Sequence, residues 1–357
     1  MSESQTRQIL LDTINILSDE CEQIKTFPVY SSDIFPNKIL GFLNRGLNFI
    51  GSQAVIVPCK DKEVIAESIQ LFKQVSENWI AFDKVRNMLH DDYSKNIFDW
   101  VLKYRLAYAF VGGQALYLFD PPITTTEYKR IQKTGNRFKR RGVYHLEGYV
   151  VDAHAGIIET NWLLKQYKYE PYCVPEQNDN IFDIGACAGE TSVWFASEIN
   201  QNGHIYSFEP DDINYNNLLK NITLNKLGNC ITPVHFGLWE SNQMMQFSNI
   251  GGGNTIKADG EKQLEVIRFD DFIEDTKIDK VDYLKMDIEG AEIGALKGAS
   301  ETIKRDKPKL AISVYHKASD LTDIPLYLKS LVPDYRFYMK HVTTNFSETV
   351  LFATTKH

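Results

Sequence analysis

Three short stretches of the chain carry side chains whose types and spacing suit chemistry. In NIFDIGACAGETSVWFA an apolar run ends on Asp183, and Gly185 and Gly189 open a turn before a helical pattern begins. A turn of that kind offers room and free N–H groups to a ligand at a helix N-terminus. In HIYSFEP a second apolar run ends on Glu209, 20 residues beyond Gly189. An acid at that distance can accept hydrogen bonds from both hydroxyls of a ribose. In VDYLKMDIEGAE, Asp287 ends a third run and Glu289 and Glu292 follow it, while SVYH places His316 at the end of a fourth. Carboxylates and an imidazole at neighbouring strand ends can take a proton from a weak nucleophile or hold a divalent cation.

The surrounding elements must bring these ends together. From about residue 178 strand-like and helix-like segments alternate, the pattern of an α/β domain with a largely parallel sheet. NIFDIG, HIYSFEP, CITPVHFGLWE, VDYLKMDI and PKLAISVYH read as successive strands, and YRFYMKHV with ETVLFATTK as a closing pair. ETSVWFASEIN, DINYNNLLKNITLNKLG and GAEIGALKGASETI read as helices. Between Glu240 and Asp279 the order breaks for a hairpin with the glycine-rich tip of SNIGGGNTI. Open α/β sheets hold ligands at the carboxyl ends of their strands, which is where Asp183, Glu209, Asp287 and His316 fall.

The turn identifies its ligand by what it lacks. A dinucleotide site wants G-x-G-x-x-G, whose crowded glycines admit a pyrophosphate. Here the pattern is D-I-G-A-C-A-G, which suits S-adenosylmethionine, a ligand with no phosphate. Asp183, Gly185, Ala186, Gly189, Glu209 and Pro210 are therefore the expected cofactor-binding residues. DIGACAGETSVWFA, YSFEPDDINYNNLLKNITLN, VIRFDDF and VDYLKMDIEGAEIGALKGA, in this order and spacing, resemble the FkbM family of S-adenosylmethionine-dependent methyltransferases. The resemblance covers roughly residues 178 to 316. It implies a class I methyltransferase fold: a Rossmann-like, seven-stranded mixed sheet with helices on both faces and the last strand antiparallel. It also implies O-methylation of a sugar or another hydroxylated small molecule or glycan. Asp287, Glu289 and His316 are the expected catalytic residues, with His316 as the base, giving direct acid–base help in place of a metal. Glu292 reads as a charge favoured at a helix N-terminus, Asp270 and Asp271 as helix caps, Cys187 as a packed thiol, and Lys285 as a stem along the sheet with its charge reaching water.

The remainder of the chain bounds the answer. Its 357 residues suggest two domains, divided here into an N-terminal α/β region, 1–175, of unassigned role, an acceptor-binding surface or an oligomer contact being its candidate uses, and a methyltransferase domain, 176–357. In the first, QAVIVPC and KEVIAESIQLFKQV form a strand–helix unit, and YSKNIFDWVLKYRLAYAF a long amphipathic helix with Ser94 as its cap. A net charge of −8 argues against nucleic acid as a partner, and the seven Lys and Arg in TTEYKRIQKTGNRFKRRG read as a solvated face. Five cysteines without a C-x-x-C pair, no signal peptide and no spanning apolar run suit a reduced, cytoplasmic chain. The competing readings are a nicotinamide-dependent oxidoreductase or epimerase, which the missing G-x-G-x-x-G disfavours, and a non-catalytic module that keeps the fold.

Overall fold

The computed structural model describes residues 4–20, 26–31, 53–58, 62–250, 253–256 and 262–356. Cys21, Cys59 and the hairpin tip at 251–252 lie outside them, as do the side chains of Asn254 and Thr255. The seven-stranded sheet follows from the runs named above. Its strands are β6 (Asn180–Ile184), β7 (His204–Phe208), β8 (Ile231–Val234), β13 (Tyr283–Met286), β14 (Lys309–Ser313), β15 (Arg336–His341) and β16 (Thr349–Thr354), in the order β15-β16-β14-β13-β6-β7-β8. The five from β14 to β8 are mutually parallel, and β16 runs antiparallel to both its neighbours.

Side-chain alternation splits the core in two. Phe182, Ile184, Leu284, Met286, Leu310 and Ile312 point to one face, while Ile181, Tyr283 and Ala311 point to the other. Parallel strands covered on both faces are continuously apolar, which is why these runs show no polar alternation. The second face carries α5 (Glu190–Glu198) and α6 (Asp212–Leu224). On the first lie α7 (Phe269–Thr276), α8 (Glu292–Gly298), α9 (Ser300–Asp306) and α10 (Asp320–Leu331).

The N-terminal helices α1 (Gln5–Glu20), α2 (Lys62–Met88) and α3 (Asp92–Val111) share that first-face core. Phe82, Phe98 and Val101 belong to one apolar cluster with Leu321, Phe337 and Met339. Strands β1 (Thr26–Ser31) and β2 (Gln53–Pro58) form a separate parallel pair. Further on, α4 (Thr125–Arg137) begins with a Thr124–Glu127 capping box and leaves Lys129, Arg130, Lys133 and Arg137 exposed. A meander of β3 (Lys139–Arg140), β4 (Val143–Leu146) and β5 (Tyr149–Val151) then docks on α6, where Asn225 donates to and accepts from the Val150 backbone, both at 2.7 Å.

Several local expectations are corrected. CITPVHFGLWE is two strands: β9 (Gly237–Trp239) leaves the main sheet after β8 and pairs with β12 (Lys262–Arg268). Strand β12 joins β10 (Gln243–Ile250), whose hairpin partner is β11 (Gly253–Ile256). The cap of α3 is Asp91, which accepts the Ser94 N–H at 2.7 Å. Ser94 is buried inside the helix, and its hydroxyl accepts the Met339 N–H of β15 at 2.9 Å. Asp270 caps α9 and not its own helix, accepting the N–H groups of Glu301 and Thr302. The helix expected over GAEIGALKGASETI breaks at Ala299 into α8 and α9.

Candidate functional site

The glycine turn is tied down before any ligand arrives. Gly185 and Ala186 donate to the Phe208 carbonyl at 3.1 and 2.9 Å, and Cys187 donates to Glu209 Oε2 at 2.9 Å. These N–H groups are therefore spent within the protein and do not await a ligand. Gly185 has φ +77°, and a Cβ there would stand 2.0 Å from the Asp287 carbonyl oxygen. Gly189 has φ +84°, and its Cβ would meet Leu218 Cδ1 at 2.5 Å. Both glycines let two pieces of backbone or helix approach closely, a need only glycine meets in the left-handed region. The space they clear is filled by protein.

Beneath the turn, Asp183 is fully buried. It accepts the Ser192 hydroxyl at 2.6 Å and pairs with the Lys285 ammonium at 3.0 Å. Lys285 does not reach water as expected. It is 2% exposed and donates to the carbonyls of Ile184 and Gly185 at 3.2 and 2.7 Å. Burial opposes its charge, but Asp183 and Asp287 outweigh it and raise its pKa.

A cavity opens above, lined by Gly185, Cys187, Phe208, Glu209, Pro210 and Phe236 among others. Glu209 accepts one backbone N–H on each oxygen, from Cys187 and Asp211, both at 2.9 Å. Each carboxylate oxygen has a second lone pair for a ligand hydroxyl. Burial pushes its pKa up to about 7, against the two backbone donors. Of the six residues expected to bind a cofactor, Gly185, Glu209 and Pro210 line this cavity. Asp183, Ala186 and Gly189 shape the turn from behind. The Cys187 thiol is pushed up to about 12 by burial, then by Glu190 and Glu209, and stays unreactive at neutral pH.

Gly185, Cys187, Asn214, Asp287 and Glu289 also line a second, more polar cleft. Its far wall comes from distant segments: Tyr128 of α4, His154, the π-helical turn Ile158–Leu163, and Thr343 to Glu348 between β15 and β16. Asn161 fixes the π-helical turn to α5 by donating to Thr191 Oγ at 2.8 Å.

Asp287, Glu289 and His316 come together where the two spaces meet. Asp287 Oδ2 accepts the Tyr167 hydroxyl at 2.6 Å, and Oδ1 lies 3.3 Å from Tyr315 Oη. His316 Nε2 is 3.4 Å from Asp287 Oδ1 and 3.6 Å from Glu289 Oε2, while Nδ1 is 2.9 Å from Glu292 Oε1. Burial disfavours the imidazolium, but Glu292, Asp287 and Glu289 prevail and push its pKa up to about 10. The three carboxylates thus favour the imidazolium over the neutral ring, the form in which it would act as a base.

Tyr167, Tyr315 and Glu348 are site neighbours that sequence reading missed. Glu292, expected as a charge at a helix N-terminus, accepts the Ile288 N–H there at 2.9 Å and is fully buried beside His316.

Residues 183–337 match the methyltransferase FkbM domain family. Hexuronic acid methyltransferase AglP of Haloferax volcanii is 20% identical over 172 residues, 45% of this chain and 70% of that protein. The crystal structure of methyltransferase FkbM from Methylobacillus flagellatus KT superposes over 95% of this chain and 77% of its own, at 22% identity and a TM-score of 0.54, and so shares the fold. Strand order, antiparallel final strand and family match agree: residues 183–337 carry a domain that matches the methyltransferase FkbM family.

Proposed function

We propose that the chain moves the methyl group of S-adenosylmethionine to a hydroxyl oxygen of a sugar or another hydroxylated small molecule or glycan. The observation that carries this reading is the junction of two cavities at Gly185, Cys187, Asp287 and Glu289. The first has the buried Glu209 for ribose hydroxyls and Phe208 and Phe236 for a flat base. The second is polar and takes a hydroxyl-rich acceptor. Methyl transfer needs the acceptor oxygen roughly 3 Å from the methyl carbon, in line with the breaking C–S bond. The oxygen lone pair forms the C–O bond, sulfur keeps the C–S pair, and the hydroxyl proton leaves towards the carboxylates at the junction. Glu209 and Pro210 hold the nucleoside, Gly185 gives its backbone to the ligand wall, and Asp183, Ala186 and Gly189 keep the turn in shape. Asp287, Glu289 and His316 face the acceptor.

The uronic acid substrate named for the Haloferax relative makes sugars the first acceptors to try. Incubating the chain with trideuteromethyl-labelled S-adenosylmethionine and a panel of glycosides, followed by mass spectrometry, is the test. Label on a sugar oxygen supports the reading. Label only on nitrogen or on a carboxylate removes the hydroxyl acceptor.

A further inference from the structure

The four titratable groups at the junction are more than a proton-transfer set. We propose that Asp287, Glu289 and His316 bind one small divalent cation of the Mg²⁺ or Mn²⁺ type, with Glu292 holding the imidazole from behind. The inference deepens the methyl-transfer reading, because the cation would sit inside the same cleft.

The geometry is that of a ligand set drawn around one point. Asp287 Oδ1 and Glu289 Oε2 stand 3.4 and 3.6 Å from the same nitrogen, Nε2 of His316. Ligands about 2.1 Å from a small cation and at right angles to each other stand about 3 Å apart. Asp287, Glu292 and His316 each offer a ligand atom within 4.8 Å of the others. Glu292 is fully buried and engages Nδ1 at 2.9 Å, so it faces the back of the ring. Glu289 is 45% exposed and faces the cleft. A carboxylate on one ring nitrogen and a metal on the other is the usual way a histidine ligand is oriented.

A second observation points the same way independently of the acidic cluster. His316 is 8% exposed, yet neither ring nitrogen makes an aligned hydrogen bond, and the buried Glu292 Oε2 has no hydrogen-bond partner. Buried polar atoms are rarely left so. A cation taking the place of the Nε2 proton would satisfy the ring and draw the two carboxylates together. It would also leave coordination positions open towards the cleft, since Asp287 and Glu289 line both cavities. Two neighbouring hydroxyls of a sugar are the oxygen ligands suited to those positions. Binding one of them to the cation would make its proton easier to lose.

The test is a Mn²⁺ titration of the chelator-treated full-length chain, followed by the free-ion electron paramagnetic resonance signal. One equivalent of Mn²⁺ should vanish from that signal, and Mg²⁺ should restore it by competition. Glu289→Gln, at a half-exposed position that leaves folding intact, should weaken binding at least tenfold. Glu292→Gln should weaken it by about 10- to 100-fold, the range for a group that orients a metal-bound histidine. Circular dichroism on both variants separates lost binding from lost fold. A wild-type signal that stays free, or Glu289→Gln binding as tightly as wild type, overturns the site. Calorimetry with S-adenosylmethionine keeps the two readings apart: intact cofactor binding without Mn²⁺ binding removes only the cation, and Mn²⁺ binding without any methyl transfer removes only the acceptor assignment.

Discussion

The two cavities that meet at Asp287 are built on different principles. The first draws all its walls from between Ile184 and Ala291 and is largely apolar, with Glu209 its most buried acid. The second assembles Tyr128, His154, Gln166, Lys285, Tyr315 and Glu348 from segments more than 200 residues apart, and its polar groups include four carboxylates. Proximity in the chain makes the first legible as motifs. The second exists only once the N-terminal segment has docked on α5 and α6. The first cavity can thus stay constant on this fold while its neighbour is rebuilt.

Substitutions at the junction and in each cavity separately test that contrast. The largest effect is expected for Asp287→Asn at the junction, which should lower kcat by roughly 10²–10⁴ in a labelled-methyl assay. Near-normal turnover would take Asp287 out of the reaction. Glu209→Ala removes the acid of the first cavity and should weaken S-adenosylmethionine binding on the order of 10²-fold by calorimetry, two hydrogen bonds to a charged group being involved. Unchanged affinity would move the ribose elsewhere. His154→Ala, at an exposed wall position of the second cavity, should raise the acceptor KM up to about tenfold with cofactor affinity unchanged. A shift in cofactor affinity instead would merge the two cavities into one site.

The smallest effect is on stability against pH. Glu209 and Glu190 are each raised from 4.5 to about 7, first by burial. Between those values the folded chain holds protons that the unfolded chain has lost, so these groups favour folding below pH 4.5 and lose that contribution as pH rises through 7. Glu209→Gln should therefore show a shallower fall of melting temperature from pH 5 to 8 than wild type. Equal slopes would mean that Glu209 titrates normally.

The strands of the seven-stranded sheet, the turn, the place of Glu209 at a strand end and the convergence of Asp287 with His316 could be read in the chain, because each is a local pattern whose geometry the α/β fold repeats. What could not be read depended on tertiary contact. Gly189 looks like a ligand-clearing glycine, but the atom it makes room for is Leu218, known only once α6 has packed. Lys285 resembles any strand lysine until Asp183 and two carbonyls enclose it. Tyr167 carries no motif and reaches Asp287 across 120 residues. The charge state expected of His316 followed from its type alone. Three carboxylates from one loop and the helix that follows it set it otherwise.

The bond from Ser94 to Met339 has one more consequence, for solubility. Strand β15 is the edge of the sheet, and an uncovered edge invites pairing with another chain. Two of its outward backbone groups are already occupied: Met339 N–H donates to Ser94 Oγ, and the Phe337 carbonyl accepts from His90 at 2.8 Å. The opposite edge, β8, is four residues long and contains Pro233, which has no N–H to offer. Both edges are thus closed to addition, one by a proline and one by a helix start more than 200 residues earlier in the chain. A fragment beginning near residue 176 would leave the β15 edge open, exposed beside an apolar face, and would gather into strand-paired aggregates.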